Sequence, residues 1–253
     1  MPEDESAPIP TGDAGEIAQD ARTLRQNAFL YEIHRDFYGR ILHELSEAEY
    51  PRVLELGSGG GFLRDLAPRV ISSDCVMAPG IDRVVDACQL SEHFGAGELD
   101  GICAVNVFHH LPNPSKFLRG ATAVLRAGGR IVMVEPWCTP LGQWFHRLIH
   151  HEPFVADPGF WGIVGMGRLT AANTRLPTSV FRDSAERFRT EFPNLRIAAI
   201  QPFHKWLYLL SGGLRFNTRI PLSLARILIA ADVRTRFADS FAAIFALIVV
   251  ERT

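Results

Sequence analysis

The sequence has few cysteines and little net charge, and both shortages narrow its possible functions. Its 253 residues include four cysteines, Cys75, Cys88, Cys103 and Cys138, and no Cys-x-x-Cys pair. This argues against a disulfide framework and favours small buried thiols in a reducing compartment. The formal net charge is −2, and the mixed signs argue against a nucleic-acid-binding surface.

Long apolar runs and targeting signals are also missing. No uninterrupted apolar stretch reaches the roughly 18 residues of a membrane helix, and the run at 241–250 suits a buried strand. The acidic, proline- and glycine-rich N-terminus lacks the basic start and apolar core of a signal peptide. We therefore expect a cytoplasmic protein without integral membrane association, with residues 1–14 as a disordered leader and 15–253 as one domain.

An apolar strand candidate runs directly into a glycine-rich loop. The segment Val53–Leu63 reads Val-Leu-Glu-Leu-Gly-Ser-Gly-Gly-Gly-Phe-Leu. This order is typical of a buried parallel strand, a tight loop and a helix start, where missing side chains let a ligand approach the backbone. The dinucleotide fingerprint requires a glycine where Phe62 stands. A nicotinamide-dependent oxidoreductase is therefore the less favoured of the possible enzymes.

Strand candidates alternate with helices along the chain. The seven strand candidates lie at 53–56, 69–74, 82–86, 101–106, 130–135, 195–200 and 242–250. Residues 15–48 form N-terminal helices, and another helix is expected at 222–232 between the last two strands. This alternation of strands and helices predicts an α/β fold with a Rossmann-like, doubly wound sheet.

Five segments, in the right order, resemble the motifs of class I S-adenosylmethionine-dependent methyltransferases. The acidic-apolar-Gly-x-Gly-x-Gly pattern begins at Glu55, and Asp74 and Asp86 end the second and third strands. Segment 99–111, with its His-His-Leu ending, resembles the fourth-strand motif, and segment 124–137 the fifth. The resemblance implies a seven-stranded sheet, mostly parallel with an antiparallel last strand, and S-adenosyl-L-methionine as cofactor.

The resemblance also implies which residues bind the cofactor. In the family, the first acid holds the methionine amino group, often through water, the second accepts the ribose hydroxyls, and the third accepts from the adenine amine. The corresponding residues here are Glu55, Gly57, Ser58, Gly59, Gly61, Asp74, Asp86, Ala87, Val105 and Asn106. Simpler roles stay open for three of them: Glu55 bridging backbone amides, Asp74 as a solvated strand end, and Asn106 as a helix cap.

The connection that follows the fifth strand is much longer than an ordinary crossover. It is rich in aromatic residues and histidine, and long insertions in compact domains are usually functional. The sequence predicts a cap at 138–193 over the cofactor-binding core of residues 51–137, followed by terminal strands and a helix at 194–253. Candidate substrate-binding residues are Trp137, Trp144 and Trp161, with packing inside the cap as the alternative.

Three histidines are candidate catalytic bases, His110, His151 and His109 in order of preference. A base is needed only when the acceptor is a weakly acidic hydroxyl or a carbon acid, and the His109–His110 pair has packing as its simpler role. We expect no metal site at His150-His151-Glu152, because adjacent histidines on a helix point in different directions and no His-Glu-x-x-His spacing exists.

These observations predict a methyltransferase that acts on a small-molecule acceptor, with O-methylation slightly ahead of N- or C-methylation. The alternative in another class is a non-catalytic, methyltransferase-like binding module. The complete set of loop glycines and strand-end acids argues against that alternative. The acceptor's identity and the oligomeric state stay open at this stage.

Overall fold

In the computed structural model, the described residues 12–46, 48–148, 152–167, 171–204, 207–213 and 220–253 fold around one seven-stranded sheet. The strands are β1 (Val53–Leu56), β2 (Ile71–Asp74), β3 (Arg83–Val84), β4 (Leu99–Val105), β5 (Leu125–Pro136), β6 (Leu195–Phe203) and β7 (Phe245–Arg252). Their spatial order is β3-β2-β1-β4-β5-β7-β6. Strand β7 runs antiparallel to both neighbours, and the other pairs are parallel. The predicted fold class is confirmed.

Helices surround the sheet and begin before the first strand. In the described ranges they are α1 (Asp13–Gln26), α2 (Ala28–Glu44), α3 (Leu63–Leu66), α4 (Leu90–His93), α5 (Pro114–Val124), α6 (Pro140–Leu148), α7 (Leu176–Thr178), α8 (Ala185–Glu191), α9 (Leu207–Ser211), α10 (Leu222–Arg234) and α11 (Asp239–Ala242). Helix α1 begins inside the expected leader, residues 1–14, of which 1–11 are not among the described residues. None of the described helices is long and apolar enough to cross a membrane.

Two apolar cores, one on each sheet face, hold these layers together. On one face, α2 buries residues at helical spacing, including Ile33, Phe37 and Ile41. Its first turn is capped by Asn27, whose side chain accepts a hydrogen bond from the Leu30 amide. On the other face, α5 and Phe181 pack against β4 and β5. Helices on both faces bury most residues of the central strands β1, β4 and β5, as their apolar character predicts.

The long segment 138–193 divides into two parts with different environments. Its C-terminal part, including Leu176, Phe181 and Phe188, is buried in the core on the sheet. This C-terminal part is a crossover that packs on the sheet. Among the described residues of the segment, only those of the earlier part, which begins with α6, line the candidate active site. A role for the segment in choosing the acceptor stays a prediction.

A buried histidine connects α2 and α10 at the end of β6. His204 Nε2 lies 2.9 Å from Asp36 Oδ2, and its Nδ1 lies 3.4 Å from Asp232 Oδ2. Burial alone would lower the pKa of His204, but Asp232 and Asp36 outweigh it and raise that pKa. Burial opposes ionisation of Asp36 as well, yet His204 and Arg40 lower its pKa to about 2. The two carboxylates therefore favour the cationic form of the histidine.

We predict that His204→Ala lowers the free energy of unfolding by about 1–3 kcal/mol, the scale of hydrogen bonds to charged groups. A histidine whose folded pKa is raised stabilises the fold fully below its unfolded pKa, and the contribution fades as pH rises through the folded pKa. Urea unfolding should therefore show a larger cost at about pH 6 than at about pH 9. His43→Ala, at an exposed position of α2, is the matched control, and an equal cost at both pH values would reject the ionic role.

Candidate active site

A cavity of about 1430 Å³ opens at the carboxyl ends of the parallel strands. Its lining includes the residues at which β1, β2, β3, β4 and β5 end or are followed by a loop: Gly57, Cys75, Val85, Asn106 and Pro136. This edge is where open α/β sheets bind ligands. The volume exceeds the roughly 300–1,000 Å³ of a typical small-molecule pocket, so there is room for two small ligands.

The lining contains every residue that the sequence predicts to bind the cofactor. These are Glu55, Gly57, Ser58, Gly59, Gly61, Asp74, Asp86, Ala87, Val105 and Asn106. Gly57 and Gly59 have φ values of 60° and 49°, a region that favours glycine. A Cβ at Gly59 would face the open cavity, with its nearest neighbour, the Gly57 carbonyl oxygen, 3.8 Å away. A larger side chain there would fill space that a ligand needs.

The other loop glycines are required by close packing. An added Cβ would clash with the Val107 side chain at Gly57, with the Ala21 backbone at Gly60 and with the Tyr38 hydroxyl at Gly61. Helix α1 is therefore held directly against the loop, and it contributes Ile17, Asp20 and Leu24, among others, to the cavity wall. This role of α1 is not among the predictions from the sequence, although the extra glycine at position 60 is a signal of close approach.

Two strand-end acids are oriented by backbone amides. Asp74 accepts hydrogen bonds from Gly59 N at 3.0 Å and from Cys75 N at 2.7 Å. Asp86 accepts from Cys88 N at 2.8 Å and so caps the 3₁₀ turn Ala87–Gln89. An ionised carboxylate has about four acceptor positions, so both side chains keep capacity for a ligand.

Glu55 is a buried acid at the end of β1, with 3% of its surface exposed. Burial raises the pKa of Glu55 to about 7; a hydrogen bond from Ser58 opposes the shift and the charge of Asp74 adds to it. Among the described residues, no lysine, arginine or histidine forms an ion pair with Glu55. A cationic group of a ligand would offset the cost of ionising this side chain.

At the other end of the site, Glu135 anchors the turn Phe108–His110. Its Oε1 accepts hydrogen bonds from Val107 N at 2.8 Å and Phe108 N at 2.7 Å, and its Oε2 lies 2.7 Å from His109 Nδ1. Glu135 is fully buried at the end of β5, and the sequence predicts it only as part of a strand. The position of an acid at the end of an apolar strand is the sequence feature that could have indicated this anchoring role.

Glu152 joins the two adjacent histidines across the cavity lining. Its Oε2 lies 3.1 Å from His109 Nε2, and its Oε1 lies 3.7 Å from His110 Nε2. Burial would lower the pKa of His109, but Glu135 and Glu152 raise it to about 9. Burial is the main cause that lowers the pKa of His110, and the charge of His109 lowers it further. The His110 Nδ1 donates a hydrogen bond to the Ala171 carbonyl oxygen at 2.9 Å. The third candidate, His151, lies outside the described residues.

The three predicted substrate-binding tryptophans do not line this cavity. Trp137 is buried in the core, Trp144 is 52% exposed on α6, and Trp161 lies under the Arg187 guanidinium and stacks on Phe192. The aromatic residues that do reach the cavity are Tyr38, Phe145, Tyr208 and Phe245. Spacing along the chain could not distinguish these aromatic residues from the tryptophans.

Residues 30–232 match the model of a family described as a methyltransferase domain. The chain belongs to this family. The protein is therefore a class I S-adenosylmethionine-dependent methyltransferase, as its motifs predict, and its cofactor is S-adenosylmethionine. A search of curated proteins finds no match.

Solved structures share the fold at low sequence identity. A SAM-dependent methyltransferase from Archaeoglobus fulgidus is 18% identical, with a TM-score of 0.52 over 87% of this chain and 94% of the other. Geranyl diphosphate C-methyltransferase from Streptomyces coelicolor, in complex with Mg²⁺, geranyl diphosphate and S-adenosyl-L-homocysteine, is 12% identical, with a TM-score of 0.50 over 98% and 86%. At such identities the likeness concerns the fold.

The residues of the cavity fit the cofactor. Gly59 leaves open space beside the loop, and the Glu55 carboxylate has no cationic partner among the described residues, whereas the cofactor carries an ammonium group. Asp74 and Asp86 keep free acceptor positions at the strand ends where an adenosine would be bound. The site thus offers groups that are complementary to the ammonium and the adenosine of S-adenosylmethionine.

We predict that Gly59→Val weakens binding of S-adenosylhomocysteine at least 100-fold, because a β-branched side chain would occupy the ligand's space. The matched control is Gly80→Val. Gly80 also has a positive φ, 83°, but lies outside the cavity lining with no atom within 4 Å of an added Cβ. Both variants carry similar backbone strain, so calorimetry should show lost binding only for Gly59→Val. Unchanged affinity in that variant would reject the loop as the cofactor site.

Proposed function

We propose that this methyltransferase transfers a methyl group to an oxygen atom of a neutral or apolar small molecule. One observation supports this most directly: a single cavity joins the ten predicted cofactor residues to a second region lined by His110, Glu152, Phe145 and Phe245. The glycine loop would hold the cofactor, and the second region would hold the acceptor.

Three acids would position the cofactor. Glu55 would hold the methionine ammonium, Asp74 the ribose hydroxyls, and Asp86 together with the Ala87 amide the adenine. When bound, S-adenosylmethionine supplies an electrophilic methyl group. The remaining work of the chain is to align the acceptor with that methyl and to exclude water, which helix α1 favours by closing over the loop.

The shape and charge of the site support a small acceptor. The cavity wall includes three aromatic side chains, Tyr208, Phe145 and Phe245. Such a surface suits a ring or an alkyl chain. The net charge of −2 gives no general attraction for a polyanion such as RNA. Geranyl diphosphate C-methyltransferase, which shares the fold, is named for a small acceptor, although it methylates carbon.

The histidine region favours oxygen over nitrogen as the acceptor atom. An amine can attack through its own lone pair, whereas an unactivated hydroxyl must lose a proton and benefits from nearby acceptor or electrophilic groups. His109, His110 and Glu152 place imidazole nitrogens and carboxylate oxygens together at this end of the cavity. An acceptor hydroxyl held there would meet these groups.

We predict that affinity for S-adenosylhomocysteine rises about tenfold between about pH 6 and about pH 8, because Glu55, with a pKa of about 7 in the free protein, must ionise to hold the ammonium. Calorimetry at about pH 6 in buffers of different ionisation enthalpy should show release of close to one proton per ligand. Glu55→Gln should bind more weakly and lose this dependence. Asp74→Asn should bind more weakly and keep the dependence, with its midpoint at a lower pH because the charge of Asp74 no longer raises the pKa of Glu55. A flat profile for the natural protein would reject the assignment.

We predict that the natural protein transfers a labelled methyl group from S-adenosylmethionine to hydroxyl-bearing compounds in a panel of apolar alcohols, phenols, amines and carbon nucleophiles. Gly59→Val is the negative control and Gly80→Val the positive one. NMR of the product should show the label as a methoxy group. Label found only on nitrogen or carbon would reject O-methylation, and label found only on RNA or protein would reject a small acceptor.

A further inference from the structure

We propose that His109, His110 and Glu152 form a binding site for a divalent transition-metal ion at the acceptor end of the cavity. The imidazole nitrogens and one carboxylate oxygen all lie within 4.8 Å of one another. The site combines two neighbouring turn residues with a glutamate 43 positions after His109. All three line the cavity, so a ligand could reach the ion.

The distances suit one shared ion. Two ligand atoms that each lie about 2.1 Å from an ion, at angles between tetrahedral and octahedral, are roughly 3.0–3.4 Å apart. Glu152 lies 3.1 Å from His109 Nε2 and 3.7 Å from His110 Nε2. The ligand atoms of all three side chains lie within 4.8 Å of one another, so rotations of the side chains would bring them to coordination distance.

Both histidines are oriented as metal-binding histidines usually are. Such residues present one ring nitrogen to the metal and donate the other N–H to a carboxylate or a backbone carbonyl. His109 Nδ1 lies 2.7 Å from Glu135 Oε2, and His110 Nδ1 lies 2.9 Å from the Ala171 carbonyl oxygen. Each Nε2 therefore faces Glu152. Two histidines that served only for packing would not need to converge on the same carboxylate.

The donor set selects the class of ion. Two imidazoles and one carboxylate suit zinc and other first-row transition ions, with a further position left for water or an acceptor. Magnesium and calcium prefer sites made of oxygen atoms alone. The local motif His150-His151-Glu152 predicts no metal site, but the fold pairs Glu152 with the distant histidines His109 and His110.

The role of the ion rests on the proposed function, although its binding does not. A divalent cation lowers the pKa of an oxygen ligand and orients it. The hydroxyl proton of the acceptor would pass to water, and the oxygen electron pair would form the new bond to the methyl group. The bond from methyl to sulfur breaks, and its electron pair stays on sulfur. His110 would then hold the ion instead of accepting the proton.

Zinc titration of chelator-treated protein by calorimetry tests the site. We expect one ion per chain, at least 100-fold weaker binding in Glu152→Gln, and 10- to 100-fold weaker binding in Glu135→Gln, since the second histidine contact tunes affinity on that scale. His43→Ala, which alters an exposed histidine of α2, should bind as the natural protein does. Melting temperatures of the metal-free forms show whether each variant is folded.

Cobalt provides a second readout that reports the ligands. Co²⁺ at the proposed site should show d–d absorption without a sulfur-to-cobalt charge-transfer band, because no cysteine takes part. Equal zinc affinity in the natural protein and in folded Glu152→Gln would overturn the proposal, as would a cobalt–sulfur band. Zinc binding without any methylated oxygen acceptor would leave the site standing and reject the proposed function. O-methylation that persists in protein without zinc binding would reject the metal site and leave the proposed function standing.

Discussion

The site depends on one steric constraint, the lack of room for side chains in the loop after β1. An added Cβ would clash with the Val107 side chain at Gly57, with the backbone of α1 at Gly60, and with the hydroxyl of Tyr38 on α2 at Gly61. A Cβ at any of these positions would push apart elements that form the floor and wall of the cavity. Gly59 differs, because it faces open space and so preserves room for the ligand itself.

Buried charge gives the two ends of the cavity different characters. At the cofactor end, Glu55 has a raised pKa and no cationic partner within the described structure, so a positively charged ligand completes it. At the other end, His109 lies between Glu135 and Glu152 and offsets one of their two negative charges.

The walls of the cavity come from parts of the chain that carry no methyltransferase motif. Helix α1 contributes from the N-terminal side, and Tyr208, Gly212 and Gly213 contribute from α9 and the turn that follows it. The ion pairs of His204 with Asp36 and Asp232 hold α10 to α2 close to these elements. Through this contact, the stability of the C-terminal helices supports the shape of the site.

The fold, and the residues that line the cavity around the glycine loop, could be predicted from the order of the amino acids. Glu55, Asp74 and Asp86 could be placed because each lies within two residues of the carboxyl end of a parallel strand, and such ends meet at one edge of a sheet. The third strand is shorter than predicted, so Asp86 follows it and caps the next turn. The other end of the cavity depends on tertiary contacts, because Glu152 meets His109 across 43 positions and Phe145, not Trp144, lines the cavity. Local periodicity predicts which strand or helix a residue belongs to, but long-range contacts depend on how whole elements pack.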